Sequence, residues 1–310
     1  MTTESTIRRL CAREGLQHPL SNCLSVLIKF CMLTKPDINL LVLFTVLAGF
    51  CLAFTTYPHP FPILRLTDTL IGTLLVAGGS CTLNHYLERR FDACMRRTAR
   101  RPLASGEIDA GDALWFGLLL SAIGFIYLAS AVNLLATILA GLASAIYLFA
   151  YTPLKRRGPA CTFVGALSGA IPPLIGWAAA SGSLSLEAWG LYTIVFLWQF
   201  PHFMAIAWMY RKDYARAGYY VLPLGRRSRQ TVGRQTIFPL FALIWVELAF
   251  GLFGFAGWTY TGGALILTIV FFYCGAELVL RKTNAAARRL LFASLLYLPS
   301  VLLLLLFDRA

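Results

Sequence analysis

Long apolar runs constrain this chain more than any other feature. Stretches able to cross a hydrocarbon core of roughly 30 Å recur about nine times, near residues 38–54, 70–86, 113–131, 134–150, 162–180, 188–209, 236–255, 264–280 and 290–307. Each is long enough for a helix at 1.5 Å per residue. The links between them are mostly short, so the expected fold is an all-α integral membrane protein, a single bundle of about nine transmembrane helices with no soluble appendage. Composition agrees: 58% of the 310 residues are hydrophobic and 13% charged, with a mean hydropathy of +0.69, more apolar and less charged than a soluble domain.

The basic residues set the orientation. With the N-terminus in the cytoplasm, 25 of the 27 lysines and arginines fall in inside segments, leaving Arg65 and Arg309 outside. Such an excess of Lys and Arg marks cytoplasmic links, and it also favours an odd number of spans. Residues 1–37 then form a polar, basic cytoplasmic segment, and residues 38–310 the helical domain. The first segment has no short apolar core followed by a small-residue cleavage site, so the first span is expected to act as both signal and anchor. The net charge of +13 sits in short juxtamembrane links, which topology, anionic headgroups and an anionic substrate explain better than nucleic acid does. The eight cysteines are scattered without Cys-x-x-Cys spacing and imply neither a disulfide framework nor a zinc site.

One inside link carries more than orientation. If the second helix continues past Leu83, then Asn84, Glu88 and Asp92 fall at successive i, i+4 positions and share a face. Oxygen ligands of this kind suit Mg2+, which binds one or two carboxylates and keeps positions for water and substrate phosphate. Arg89, Arg90, Arg96, Arg97, Arg100 and Arg101 surround them. A solvated orientation loop explains the arginines but not the acids in helical register; a metal–diphosphate site explains both. Lys155, in Lys155-Arg156-Arg157 after the fourth span, is suited to phosphate and also serves as an orientation signal.

The sixth span ends in Trp198-Gln199-Phe200-Pro201-His202-Phe203 and runs on to Lys212 and Asp213. Gln199 and His202 share a helix face if Pro201 only kinks it, and polar pairs inside an apolar span are by default functional. For His202 the options are general base, iron ligand or a hydrogen bond between helices. Asp213 could join the metal site from the opposite side. The second and sixth spans both end in acidic–basic links, and the fourth and eighth in basic ones, an offset that suggests duplication.

The motif Asn84-x3-Glu88-x3-Asp92-x2-Met95-x-Arg97-Thr98-x2-Arg101-Pro102 resembles the first metal–diphosphate motif of the UbiA superfamily of intramembrane prenyltransferases. Three further stretches narrow the resemblance to its haem O synthase branch: Leu33-Thr34-Lys35-Pro36, the run from Ala170 to Ala178 through Pro172-Pro173, and Phe196-Leu197-Trp198 through Pro201-His202-Phe203 to Asp213-Tyr214 and Leu222-Pro223. The chain departs from the family pattern in four places. Glu88 replaces an aspartate, Phe200 replaces the first of two prolines, Tyr219-Tyr220-Val221 replaces an aliphatic-Pro-Met run ahead of Leu222-Pro223, and Ala217 stands where the wider superfamily has a second carboxylate after Asp213.

The resemblance implies a protohaem IX farnesyltransferase activity, in which Mg2+-assisted ionisation of farnesyl diphosphate delivers a farnesyl group to a vinyl of haem B, giving haem O. It implies Asn84, Glu88, Asp92 and Asp213 as metal ligands, Arg97, Arg101, Lys155 and Lys212 on the diphosphate, and His202, His85 and Gln199 as candidates on the haem side, with haem B a substrate rather than a cofactor. The expected setting is the bacterial inner membrane with the site on the cytoplasmic side, and a haem A synthase or terminal oxidase is a conceivable partner. A prenyltransferase acting on a quinone precursor or another aromatic or tetrapyrrole acceptor, and a membrane transporter, are the alternative classes.

Overall fold

The computed structural model describes residues 19–54, 62–222 and 226–309. Arg8, Arg9, Arg13 and Pro223 lie outside the described residues, as do the side chains of Arg226, Arg227, Arg229 and Arg309. Among the described residues all regular structure is helical, and nine helices are long and apolar enough to span a membrane. The chain is an integral, multi-pass membrane protein.

The elements are α1 (Pro19–Leu33), α2 (Pro36–Phe54), α3 (Ile63–Asp92), α4 (Ala110–Ala131), α5 (Leu134–Leu154), α6 (Ala160–Gly169), α7 (Pro172–Ser181), α8 (Leu186–Met209), α9 (Arg211–Arg216), α10 (Arg226–Leu252), α11 (Trp258–Arg281) and α12 (Asn284–Arg309). Every apolar run read from the sequence becomes a span, with α6 and α7 together forming the fifth. Ala170 and Ile171 separate these two half-helices. Pro172 and Pro173 begin the second, where a missing N–H breaks no bond within the helix.

Two elements differ from expectation, and a third runs as the acidic spacing requires. The N-terminal segment is not only a polar tail, because it contains α1, whose Leu33 is buried against Leu103 and Ile108 of the loop after α3. Helix α3 runs on to Asp92, through the acidic stretch, and makes 30 residues in one piece. The seventh span ends at Leu252, earlier than the expected Phe255, and Gly254 follows with φ +72°.

Close helix crossings come from small residues, as lipid offers helices no hydrophobic reason to associate. Helices α2 and α7 cross through Gly49 and Gly176. A Cβ on Gly49 would stand 2.1 Å from the Pro173 carbonyl oxygen, and one on Gly176 would stand 1.9 Å from that of Val46. Gly79 and Gly117 bring α3 and α4 together in the same way. Large apolar side chains point outward around the bundle, including Leu40, Trp115, Phe149, Phe238 and Phe292, which is the surface a bilayer would cover.

Candidate active site

The three residues spaced along α3 are all buried: Asn84 is fully enclosed, and Glu88 and Asp92 are 5% and 2% exposed. One face of α3 carries all three, as the i, i+4 spacing predicts. Beside them a cavity of about 580 Å³ runs into the bundle, walled by α2, α3, α5, α6, α7, α8, α9 and α12. Its charged end is lined by Lys35, Glu88, Asp92, Arg97, Arg101 and Lys155, and its interior is predominantly apolar.

Each acid has a cation. Lys155 Nζ donates to both oxygens of Glu88 at 2.8 and 2.9 Å, and it lies 4.5 Å over the Tyr151 ring. Burial alone would depress Lys155, but the carboxylate of Glu88, with Tyr151 and Tyr147 beside it, raises its pKa well above the ordinary lysine range. Arg101 donates to Asp92 Oδ2 at 2.8 Å. The other oxygen, Asp92 Oδ1, is buried with no hydrogen-bond partner among the described residues. An unsatisfied carboxylate oxygen in a cavity wall carries a desolvation cost that a cation would relieve.

Lys35 is the residue that sequence reasoning missed as a member of the site. It adopts φ +53° in the short link between α1 and α2. That left-handed turn delivers its ammonium to Asn84 Oδ1 at 2.7 Å and to the Tyr147 hydroxyl at 3.2 Å. Its motif Leu33-Thr34-Lys35-Pro36 was visible, yet nothing in the spacing couples it to a residue 49 positions away. Burial holds the Lys35 pKa down at about 8.

This contact revises the expected role of Asn84. Its Oδ1 accepts from Lys35 and its Nδ2 donates to Thr152 at 3.0 Å, and it is not among the lining residues. Both ends of the amide are engaged, so Asn84 positions Lys35 and ties α3 to the end of α5 instead of facing the cavity. The local cause on the α5 side is a π-helical segment, Ile146–Tyr151, a distortion often found at functional sites. It places Tyr147 and Tyr151 on the cavity wall.

The remaining candidates separate clearly. Asp213 pairs with Arg216 on the same short helix, and neither Asp213 nor Lys212 lines the cavity. The opposite-side carboxylate is therefore not brought to Glu88 and Asp92. His85 is buried off the cavity, with neither ring nitrogen partnered among the described residues. Gln199 does line it, but donates its amide hydrogens to the backbone carbonyls of Ala166 and Val195. His202 lines it too, on a helix that continues through Pro201.

The acidic end is closed by loops from three parts of the chain. Met95, Ala217 and Tyr219 form one apolar cluster, the Tyr220 backbone N–H donates to the Lys155 carbonyl at 2.8 Å, and Arg97 lies 4.7 Å over Tyr210. Among the described residues no three His, Cys, Asp or Glu side chains gather as a complete metal cage. Two carboxylates fit a hard cation that takes its other oxygens from water and substrate phosphates.

A membrane-embedded helical bundle with paired acids and phosphate-suited cations at one end of a deep apolar cavity defines an intramembrane prenyltransferase. The chain belongs to the UbiA prenyltransferase family, whose model matches residues 42–296. It is 46% identical over 283 residues to the protoheme IX farnesyltransferase of Solibacter usitatus (strain Ellin6076), covering 89% of this chain and 97% of that one. It is 37% identical over 303 residues to the protoheme IX farnesyltransferase of Koribacter versatilis (strain Ellin345), covering 96% and 98%.

The fold is shared with solved structures of much lower identity. One, from work on digeranylgeranylglyceryl phosphate synthase in membranes, matches with a TM-score of 0.74 at 17% identity, covering 91% of this chain and 98% of that one. A UbiA homolog from Archaeoglobus fulgidus bound to GPP and Mg2+ matches with a TM-score of 0.60 at 14% identity, covering 87% and 99%.

Proposed function

We propose that this protein transfers a farnesyl group from farnesyl diphosphate to a vinyl group of haem B, giving haem O. The observation that carries the site assignment is the Glu88 and Asp92 pair, buried against Lys155 and Arg101 at the charged end of an apolar cavity, with one Asp92 oxygen left unpartnered. The relatives named protoheme IX farnesyltransferase, similar over nearly their whole length, support the choice of substrates.

Glu88 and Asp92 would hold Mg2+, which neutralises the diphosphate and supplies Lewis-acid assistance when bound. Arg101 and Lys155, now turned onto the acids, are within the same wall and would carry the phosphate oxygens, joined by Arg97 and by Lys35. Farnesyl C1–O cleavage sends its electron pair to the departing diphosphate. The vinyl carbon then attacks C1, the cation left beside the porphyrin takes up water, and loss of a proton leaves the hydroxyethylfarnesyl group. The apolar wall formed by Val76, Ala77, Ala140, Ala143 and Ile175 would shelter the allylic cation from water until the vinyl reaches it.

The charged end is proposed to face the cytoplasm of a bacterial inner membrane, supported by the concentration of basic residues in the links at that end. Asp213 and Lys212 are proposed to support the loop that covers the site. In this reading residues 38–310 form the catalytic helical domain and residues 1–37 contribute Lys35 to it.

The test offers purified protein, Mg2+ and farnesyl diphosphate two acceptors in turn, haem B and a phenolic quinone precursor, beside a control with no acceptor. A haem product heavier by a farnesyl group plus water, seen by mass spectrometry, is the expected result. Prenylation of the quinone precursor with haem untouched would keep the chemistry and overturn the acceptor.

A further inference from the structure

His202 is held in a way that fixes which of its nitrogens is free. Its Nδ1 lies 2.8 Å from Ser294 Oγ. The single hydroxyl hydrogen of Ser294 goes to the Leu291 carbonyl oxygen at 2.6 Å, and a carbonyl can only accept. Towards His202 the hydroxyl must therefore accept, so Nδ1 carries the ring proton and Nε2 of the neutral ring keeps its lone pair. No hydrogen bond engages Nε2 among the described residues.

The ring plane is fixed as well. Trp198, one turn earlier on α8, stacks on the imidazole with centroids 4.8 Å apart and planes 23° from parallel. The Trp198 indole N–H donates to the backbone oxygen of the same Ser294 at 2.7 Å. One residue of α12 thus anchors both rings. A histidine whose Nδ1–H is spent on an oxygen acceptor is the usual arrangement of a metal ligand, because that bond sets the tautomer, fixes the ring and raises the basicity of the other nitrogen.

The surroundings favour a large flat ligand. His202 and Trp198 share the cavity wall with Phe203, Ile206, Leu295 and Leu298, an apolar lining with few other polar groups near it. His202 is seven residues before Met209, the last residue of α8, hence about 10 Å into the bundle from that end at 1.5 Å per residue. His202 and the acids of the charged end line the same cavity.

We propose that His202 Nε2 is the axial ligand to the iron of the haem substrate, with Ser294 and Trp198 as positioning residues that aim it. This rests on the reading of haem B as the acceptor. Iron ligation at this point sets how far the macrocycle enters, and so how near its edge comes to the farnesyl diphosphate.

The test is an optical titration of the purified full-length protein with haem B, without farnesyl diphosphate, so that turnover plays no part. The wild type should bind haem with the absorption spectrum of a histidine-ligated iron. His202→Ala should lose that spectrum, and imidazole added to the solution should restore it by occupying the vacated space. His202→Gln, whose amide can still donate to Ser294, should lose it too, which separates iron ligation from a mere bond between helices. Ser294→Ala should weaken haem binding by roughly 10-fold while keeping the histidine spectrum. An unchanged spectrum in His202→Ala or His202→Gln would overturn the ligand assignment alone. No haem uptake by the wild type would overturn the acceptor reading and this assignment with it.

Discussion

At the scale of single residues, the charged end of the cavity is a set of ion pairs waiting for a better partner. Lys155 and Glu88 are 13% and 7% exposed as side chains, so removing either strands a buried charge without its partner. Lys155→Met should destabilise the protein by about 3–5 kcal/mol, whereas replacing both partners by methionine should recover most of that loss. Thermal unfolding in detergent measures the stability, and activity should be absent in both variants. Lys35 makes a separate prediction. Burial holds its pKa at about 8, below the ordinary 10.5, so the ammonium is lost as pH rises through about 8. Affinity for a farnesyl diphosphate analogue should fall above that pH, and Lys35→Arg should keep it. Between those two values the unfolded chain binds more protons than the folded one, so this group makes folding more favourable as pH rises. Weaker binding there is consequently not unfolding driven by Lys35. The acids were legible in the sequence because a helix repeats its face every three to four residues. Lys35 was not, since its place depends on a left-handed backbone turn and a contact with a distant helix. Asn84 was half legible: its position on the acidic face was right, but the amide turns to Lys35 and Thr152.

At the scale of helices, the cavity exists because several elements depart from ideal geometry. The π segment in α5 presents Tyr147 and Tyr151, the break at Ala170 and Ile171 splits the fifth span, and glycines let α2 and α7 touch backbone to backbone. Gly176→Ala puts a methyl carbon 1.9 Å from the Val46 carbonyl oxygen, a collision with backbone that only a helix shift can relieve. We expect it to lower stability by roughly 1–3 kcal/mol, read as a reduced melting temperature. Gly262→Ala, where a Cβ meets nothing within 4 Å, should change little. Hydropathy located all nine spans because the bilayer imposes their length. It could not show the π segment or the crossings, which depend on how neighbouring helices meet. Proline supplied the one visible hint, in Pro172-Pro173.

At the scale of the whole molecule, basic residues from three links, Lys35, Arg97 with Arg101, and Lys155, line one end of one cavity, and orientation decides which compartment supplies the substrates. Cys94 is exposed in the loop after Asp92. In a variant retaining only that cysteine, a membrane-impermeant maleimide should label inverted membrane vesicles and leave intact cells unlabelled; labelling of intact cells would reverse the topology. The fold class and the acidic stretch were readable from apolar length and helical spacing. The shape of the cavity was not, because it arises from eight helices drawn from the first half of the chain, its middle and its last span. The decisive measurement is release of diphosphate from farnesyl diphosphate in the presence of haem B, comparing the wild type with Asp92→Asn, each with Mg2+ and with EDTA. Asp92→Asn keeps the size of the side chain while removing the charge beside the unpartnered oxygen, and release should fall by roughly 100-fold or more, as it should with EDTA in the wild type. Undiminished release from a folded Asp92→Asn protein would place the chemistry somewhere other than the buried acids of α3.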